Sequence, residues 1–212
     1  MNITANLKAM KYKQRGFTLI ELLISMVIGL IVLAAVLGMF VTMIKSDNDN
    51  LKSIRLNQEL RSAMSLITRD LRRSGYNGAA AAAVMAGNNP FQDMKFDILT
   101  PPINNATCVT YTYDADNDGV DDGNSERFGF RLNGGAIESR ESGENCAGAT
   151  NWDNITDENL VQINAFIVKD SPTTSAGITT HQITITLRGQ LVRDNSVTRT
   201  ISEIVEIRND EY

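Results

Sequence analysis

The sequence predicts an α+β chain in which one long N-terminal helix packs its second half on a mostly antiparallel β-sheet. Three observations carry that expectation. Leu22 to Ile44 are 23 consecutive residues without Asp, Glu, Lys or Arg. Apolar residues then recur at threes and fours as far as Leu71. Near the C-terminus Ile183, Ile185 and Leu187 alternate instead with Thr and Gln, and Ile201, Val205 and Ile207 do much the same. The 212 residues suit one globular domain with an appendage. An apolar content of 42% excludes a disordered chain.

Charge is distributed unevenly. Residues 1–16 carry Lys8, Lys11, Lys13 and Arg15 and no acid. The remainder has 16 basic against 25 acidic groups, a net of −9. That surplus gives no basic patch, so no direct nucleic-acid contact is expected. One His and two distant Cys do not make a zinc site.

As a helix, the uncharged run spans roughly 34 Å, enough to cross a bilayer. Its basic flank keeps the short N-terminal arm cytoplasmic and exports the long C-terminal part. A cleaved secretory signal has a shorter apolar region, roughly 7–15 residues. A plain signal anchor would fit the run, but it leaves Glu21 unexplained. A carboxylate four residues into an apolar segment is costly unless it snorkels or meets a cation.

Residues 15–23 read Arg-Gly-Phe-Thr-Leu-Ile-Glu-Leu-Leu. The order of basic arm, Gly, aromatic residue, Glu and long apolar helix closely resembles the signal of type IV prepilins and pseudopilins. The resemblance implies that prepilin peptidase cuts after Gly16 and that the new N-terminal residue, Phe17, is N-methylated. It also implies that Glu21 faces the N-terminal amine of a neighbouring subunit during assembly. A carboxylate in low dielectric is tolerable when so paired. Many major pilins carry a helix-kinking Pro where this chain has Gly38, a departure that leans towards a minor subunit.

Leu51, Ile54, Leu60, Met64, Ile67 and Leu71, with Leu56 or Asn57 bridging the widest step, extend the helix as an amphipathic stripe. Ser74-Gly75-Tyr76-Asn77-Gly78 supplies its stop. One helix is therefore expected over roughly 17–74, greasy first and amphipathic second. The segment Arg61 to Tyr76 resembles the one that follows the membrane helix in PilW-type minor pilins, relatives of the J-class pseudopilins of type II secretion. Looser likenesses continue through Cys108–Asp114, Phe128–Leu132, Ile137–Arg140 and the terminal strand.

The expected organisation is a cleaved leader at 1–16, a transmembrane and assembly helix at 17–44, its amphipathic continuation at 45–76, and a periplasmic β-rich domain at 77–212. The small-residue stretch Ala79–Gly87 reads as a loop. Strands are expected at Cys108–Tyr113, Phe128–Leu132, Ala136–Glu141, Leu160–Lys169, His181–Val192 and Val197–Arg208. The last two should form a hairpin about Asp194-Asn195-Ser196.

One stretch has the pattern of a metal loop. Asp114, Asp116 and Asp118 stand at the first, third and fifth positions of a calcium loop. Gly119 follows at the turn, Val120 offers a backbone carbonyl and Asp122 a further acid. The closing acid is one place late, at Glu126, and strands rather than helices flank the loop. A calcium site and an acidic hairpin tip both fit.

Cys108 and Cys146 are expected to pair in an oxidising compartment, two buried thiols being the alternative. Trp152 reads as a core or loop anchor. His181 has no Ser, Cys or Asp motif placed to make it a base. No nucleophile elbow, phosphate loop or dinucleotide fingerprint occurs, so nothing argues for an enzyme and no cofactor beyond calcium is expected.

The resemblance implies a minor pilin that primes assembly of a type IV pilus and ends at its tip. Its partners would be other minor pilins, the major pilin, prepilin peptidase and the inner-membrane assembly platform. It would be a single-pass inner-membrane protein before it joins the fibre. A J-class pseudopilin shares the same signal and fold. A membrane-tethered, calcium-dependent adhesin or binding module is the reading from another class.

Overall fold

A computed structural model describes residues 16–86, 89–97, 106–140, 142–143, 145–175 and 178–207. Apart from Gly16, the leader lies outside the described residues. So do Gly87, Glu141 and Arg208, which end three of the expected elements. The chain divides into two compact units, Met1–Asp49 and Asn50–Tyr212. A single helix, α1 (Leu19–Leu71), crosses the boundary.

In the first unit the large apolar side chains from Phe17 to Ile44 are exposed. A surface this greasy is not tolerated in water, and the helix is long and apolar enough to cross a membrane. Two hydroxyls within it are satisfied locally. Ser25 donates to the carbonyl of Glu21 at 2.7 Å and Thr42 to that of Gly38 at 3.0 Å, as a low-dielectric surrounding requires.

In the second unit the buried face of α1 comprises Leu56, Leu60, Ala63, Met64, Ile67, Thr68 and Leu71. This corrects the expected stripe at its start, because Leu51 and Ile54 are about half exposed. The helix ends at Leu71 rather than 74, and Gly75 then turns the chain at a φ of +75°. Ala79–Gly87 is not all loop, since Ala80–Ala86 forms a short helix, α2. Alanine is the best helix former, and the Asn77 side chain accepts the N–H of Ala79 at 2.7 Å just before it.

Two antiparallel sheets replace the one expected. The first is a five-stranded meander of β1 (Lys95–Asp97), β2 (Cys108–Thr112), β3 (Arg127–Asn133), β4 (Ala136–Arg140) and β5 (Trp152–Asn154). The second is a three-stranded meander of β6 (Val161–Ser175), β7 (Ile178–Leu191) and β8 (Asp194–Glu206). The sheets are joined where Ala106 and Val168 exchange backbone hydrogen bonds and where Ile163 donates to Gly135. A bulge between Ile163 and Ala165 adds one residue to β6. It restores the parity that turns Val161, Ile163, Phe166 and Val168 all into the core. That core joins α1 to both sheets through Val109, Tyr111, Phe130, Ile137, Ile183, Ile185 and Leu187 among others.

The last hairpin turns at Val192-Arg193, earlier than Asp194-Asn195-Ser196. Those three residues instead open β8 at a register shift, where the Asp194 carboxylate accepts both the N–H and the hydroxyl of Ser196. Lys52 on α1 donates to the same carboxylate at 2.8 Å. The Lys52 and Ser196 hydrogen bonds hold that carboxyl down at about 2.

Candidate functional site

At the start of α1, Thr18 precedes the first helical residue, and its hydroxyl accepts the N–H of Glu21 at 3.3 Å. Thr18-Leu19-Ile20-Glu21 has the spacing of a capping box, with the carboxylate in the first turn where the helix dipole favours it. Phe17, one residue before the cap, is 80% exposed. The bond from Gly16 to Phe17 therefore lies just outside the helix, two residues ahead of Leu19. Thr18 was missed in reading the sequence, although the Thr-x-x-Glu spacing shows it.

The Asp-rich loop belongs to the second unit and is built around a buried carboxylate. Asp114 is 1% exposed. Its oxygens accept the N–H groups of Gly78 (2.8 Å), Asn117 (2.6 Å), Asp118 (3.2 Å) and Gly119 (2.8 Å). Burial alone would push its pKa up. The four backbone donors outweigh that and hold the carboxyl below its ordinary range. Asn117 and Gly119 sit at φ +71° and +79°. A Cβ on Gly119 would lie 2.4 Å from that of Ala79, so only glycine fits there.

The loop is clamped to the turn that follows α1. The N–H of Asp114 donates to the carbonyl of Tyr76 at 2.9 Å, and the Tyr76 hydroxyl donates to Asn117 at 2.5 Å. Beneath it the buried Asn77 donates to Asn89, which donates in turn to the carbonyl of Gly75. Arg73 lies 4.0 Å over the ring of Tyr113, and Tyr113 stacks on Phe128 at 4.1 Å.

Glu126 is 2% exposed and ties the two arms of the loop together. It accepts the N–H of Ala115 at 2.8 Å and that of Asp122 at 2.9 Å. Val120 donates its N–H to Asp118 at 2.7 Å. Among the described residues, Asp114, Asp116 and Asp118 bring one carboxylate oxygen each within 4.8 Å of one another. At Asp116 desolvation, together with the negative charges of Asp118, Asp122 and Asp114, raises the pKa.

Cys108 and Cys146 form a disulfide with a Cα–Cα distance of 6.1 Å. A buried polar hub stands beside it. Arg131, which pairs with Cys108 across the β2–β3 ladder, binds Glu138 at 2.5 Å and donates to the carbonyls of Cys146 (2.8 Å) and Gly148 (2.6 Å). Trp152 covers its guanidinium at 4.3 Å. Trp152, expected as a core or loop anchor, is half-buried on β5. His181 Nδ1 lies 2.6 Å from Asp170 on the neighbouring strand.

A long N-terminal helix with an apolar first half, a Gly-Phe junction before a Glu-bearing first turn and a helix-packed antiparallel β-domain define a pilin-like protein. A model of the prokaryotic N-terminal methylation motif matches residues 11–37. The model of the prepilin peptidase-dependent protein B family matches residues 49–207, and the chain belongs to that family. It is similar to "Prepilin peptidase-dependent protein B" of Escherichia coli (strain K12), 24% identical over 163 residues that cover 75% of this chain and 79% of the relative. No solved structure matches.

Proposed function

We propose that the chain is a minor pilin of the PilW kind that primes assembly of a type IV pilus and is incorporated at its tip. The observation that carries this reading is the Gly16-Phe17 junction placed immediately before a capped helix with Glu21 in its first turn. Prepilin peptidase would cut between Gly16 and Phe17, and the exposed new amine would be methylated. The Glu21 carboxylate would then bind the N-terminal amine of a neighbouring subunit, a pairing that a low-dielectric helix bundle makes strong. Other minor pilins, the major pilin and the inner-membrane assembly platform are the partners this requires. The Asn50–Tyr212 unit would stand in the periplasm until incorporation. A J-class pseudopilin of type II secretion would use the same residues in the same way.

The test is intact mass and N-terminal sequencing of the protein from its native membrane. A chain beginning at N-methyl-Phe17 supports the assembly reading. An uncleaved chain, in cells with active peptidase, overturns it.

A second reading adds calcium at the Asp-rich loop, favoured by the approach of Asp114, Asp116 and Asp118. Asp116, Asp118 and the Val120 carbonyl would supply hard oxygen ligands, and Asp114 would join them only by giving up one of the four backbone N–H groups its oxygens accept. Asp122 and Glu126 would complete the set only if Glu126 shared its oxygens with Ala115 and Asp122. On this reading the protein would be a tethered, calcium-dependent binding module.

A further inference from the structure

Among the described residues the outer edge of β8 is the long unpaired sheet edge of the second unit. Among the described residues its ladder partner is β7 alone. The opposite edge of that sheet, on β6, is engaged by Ala106 and by Gly135. The end strands of the other sheet, β1 and β5, are three residues each. Thr198 to Glu206 contains no Pro, and its three charges, Arg199, Glu203 and Glu206, are of mixed sign. It is rich in the β-branched residues that favour pairing.

A cleft of about 620 Å³ runs between this strand and α1. Arg61, Ser65, Thr68 and Arg72 line one wall, Ser202 and Glu203 the other, and Met64 and Ile201 contribute apolar surface. Arg61 and Arg72 are exposed and form no salt bridge with a described carboxylate. Arg72 follows the last residue of α1 and still donates its N–H to the Thr68 carbonyl, so it stands eleven positions and roughly 16 Å along the axis from Arg61, the span of about five residues of extended chain.

We infer that this cleft receives an extended segment of a different assembly subunit, which adds to β8 as a fourth strand. Its backbone pairs with the free edge, its apolar residues cover Met64 and Ile201, and acidic residues four to six apart meet Arg61 and Arg72. A second copy of this chain is a poor occupant. β8 runs in the same direction as α1, since Asp194 meets Lys52 and residues 201–203 lie beside the 61–72 stretch. An antiparallel pairing of two β8 strands would therefore set the two Asn50 ends apart, whereas each follows closely on an apolar run that needs the same membrane. A parallel pairing of two copies would put Arg199 beside Arg199 and Glu203 beside Glu203, and like charges in register repel.

The inference rests on the assembly reading, and one experiment separates their failures. A photo-cross-linking residue is placed at Thr200 of the full chain, in cells that make its own assembly machinery, and the cross-linked peptide is mapped. The expected product joins Thr200 to an acidic, alternating segment of another subunit. Its yield should fall roughly tenfold in the Arg61→Glu/Arg72→Glu variant. Hydrogen exchange of the assembled protein should show protection gained at alternate amides of β8. A cleaved, N-methylated chain with no such product overturns the strand addition alone. So does a product with a second copy, with lipid or with a helical segment, or a yield untouched by the charge reversal. An uncleaved chain overturns the assembly reading itself. If the variant's thermal transition differs from the parent's, the exchange pattern of the unmodified protein decides, and unprotected β8 amides overturn the inference.

Discussion

The carboxylate of Asp114 accepts the backbone N–H of Gly78 at 2.8 Å across a separation of 36 residues. A loop that reads as a metal ligand set is thus a clasp on the end of the long helix. Asp114→Asn keeps the shape but sets an amide N–H₂ against backbone donors. It should destabilise the Asn50–Tyr212 unit by about 2–4 kcal/mol, the scale of lost charge-assisted hydrogen bonds. The folded-state pKa of Asp114 lies below its ordinary value of 3.8. Its contribution is therefore complete above that value and is lost as pH falls through the depressed one. Urea unfolding of the detergent-solubilised chain at pH 7 and at acidic pH checks both points. The variant should lack this part of the acid-induced loss.

The disulfide closes a separation of 38 residues. On the chain-entropy model its loss costs about 4 kcal/mol. Cys108→Ser/Cys146→Ser should lower the urea midpoint accordingly, and dithiothreitol should act on the parent but not on the variant.

Glu21 and Gly16 should fail differently. Gly16→Leu should leave the leader attached, which intact mass will show. Glu21→Val should still be cleaved and membrane-inserted, but its incorporation into the sheared fibre should fall by roughly a hundredfold, as expected when a buried ion pair is broken.

Calcium makes its own prediction. If the loop binds it, the thermal transition should rise with added calcium, by the equivalent of about 2.7 kcal/mol at a hundredfold excess over Kd. Asp116→Asn/Asp118→Asn should abolish the rise. Protons should compete, because Asp116 already holds its proton more tightly than an ordinary carboxyl. An unchanged transition at about 10 mM, well above the Kd range of extracellular calcium modules, leaves the loop a clasp alone.

The helix and the six longer strands were legible because burial imprints a period on them. Leu56, Leu60, Met64, Ile67 and Leu71 mark one face, and Ile183, Ile185 and Leu187 another. The division into two sheets was not, because alternation marks a strand without naming its partner, and nothing within Leu160–Lys169 shows that it pairs forward with β7 rather than back with β5. The site divides in the same way. Gly16, Phe17 and Glu21 are adjacent in sequence and readable as one signal. The donors to Asp114 and the Arg131–Glu138 pair depend on register and on a turn 36 residues away, which one sequence does not encode visibly. Leu51 and Ile54 continue the apolar period but lie outside the buried face, so periodicity alone overestimates the core.

Among the described residues every strand pairs with a sequence neighbour, and the strands of the first sheet, disulfide included, end by Asn154. As the chain is extended from its N-terminus, that half can zip from local hairpins and be oxidised before β6 has been made. Low separation between partners favours fast folding. The docking of the last three strands on the helix comes after, and until it happens Leu60 lacks the cover of Gly189 and Met64 that of Ile201. That interval is when the subunit is most open to aggregation or to chaperone capture.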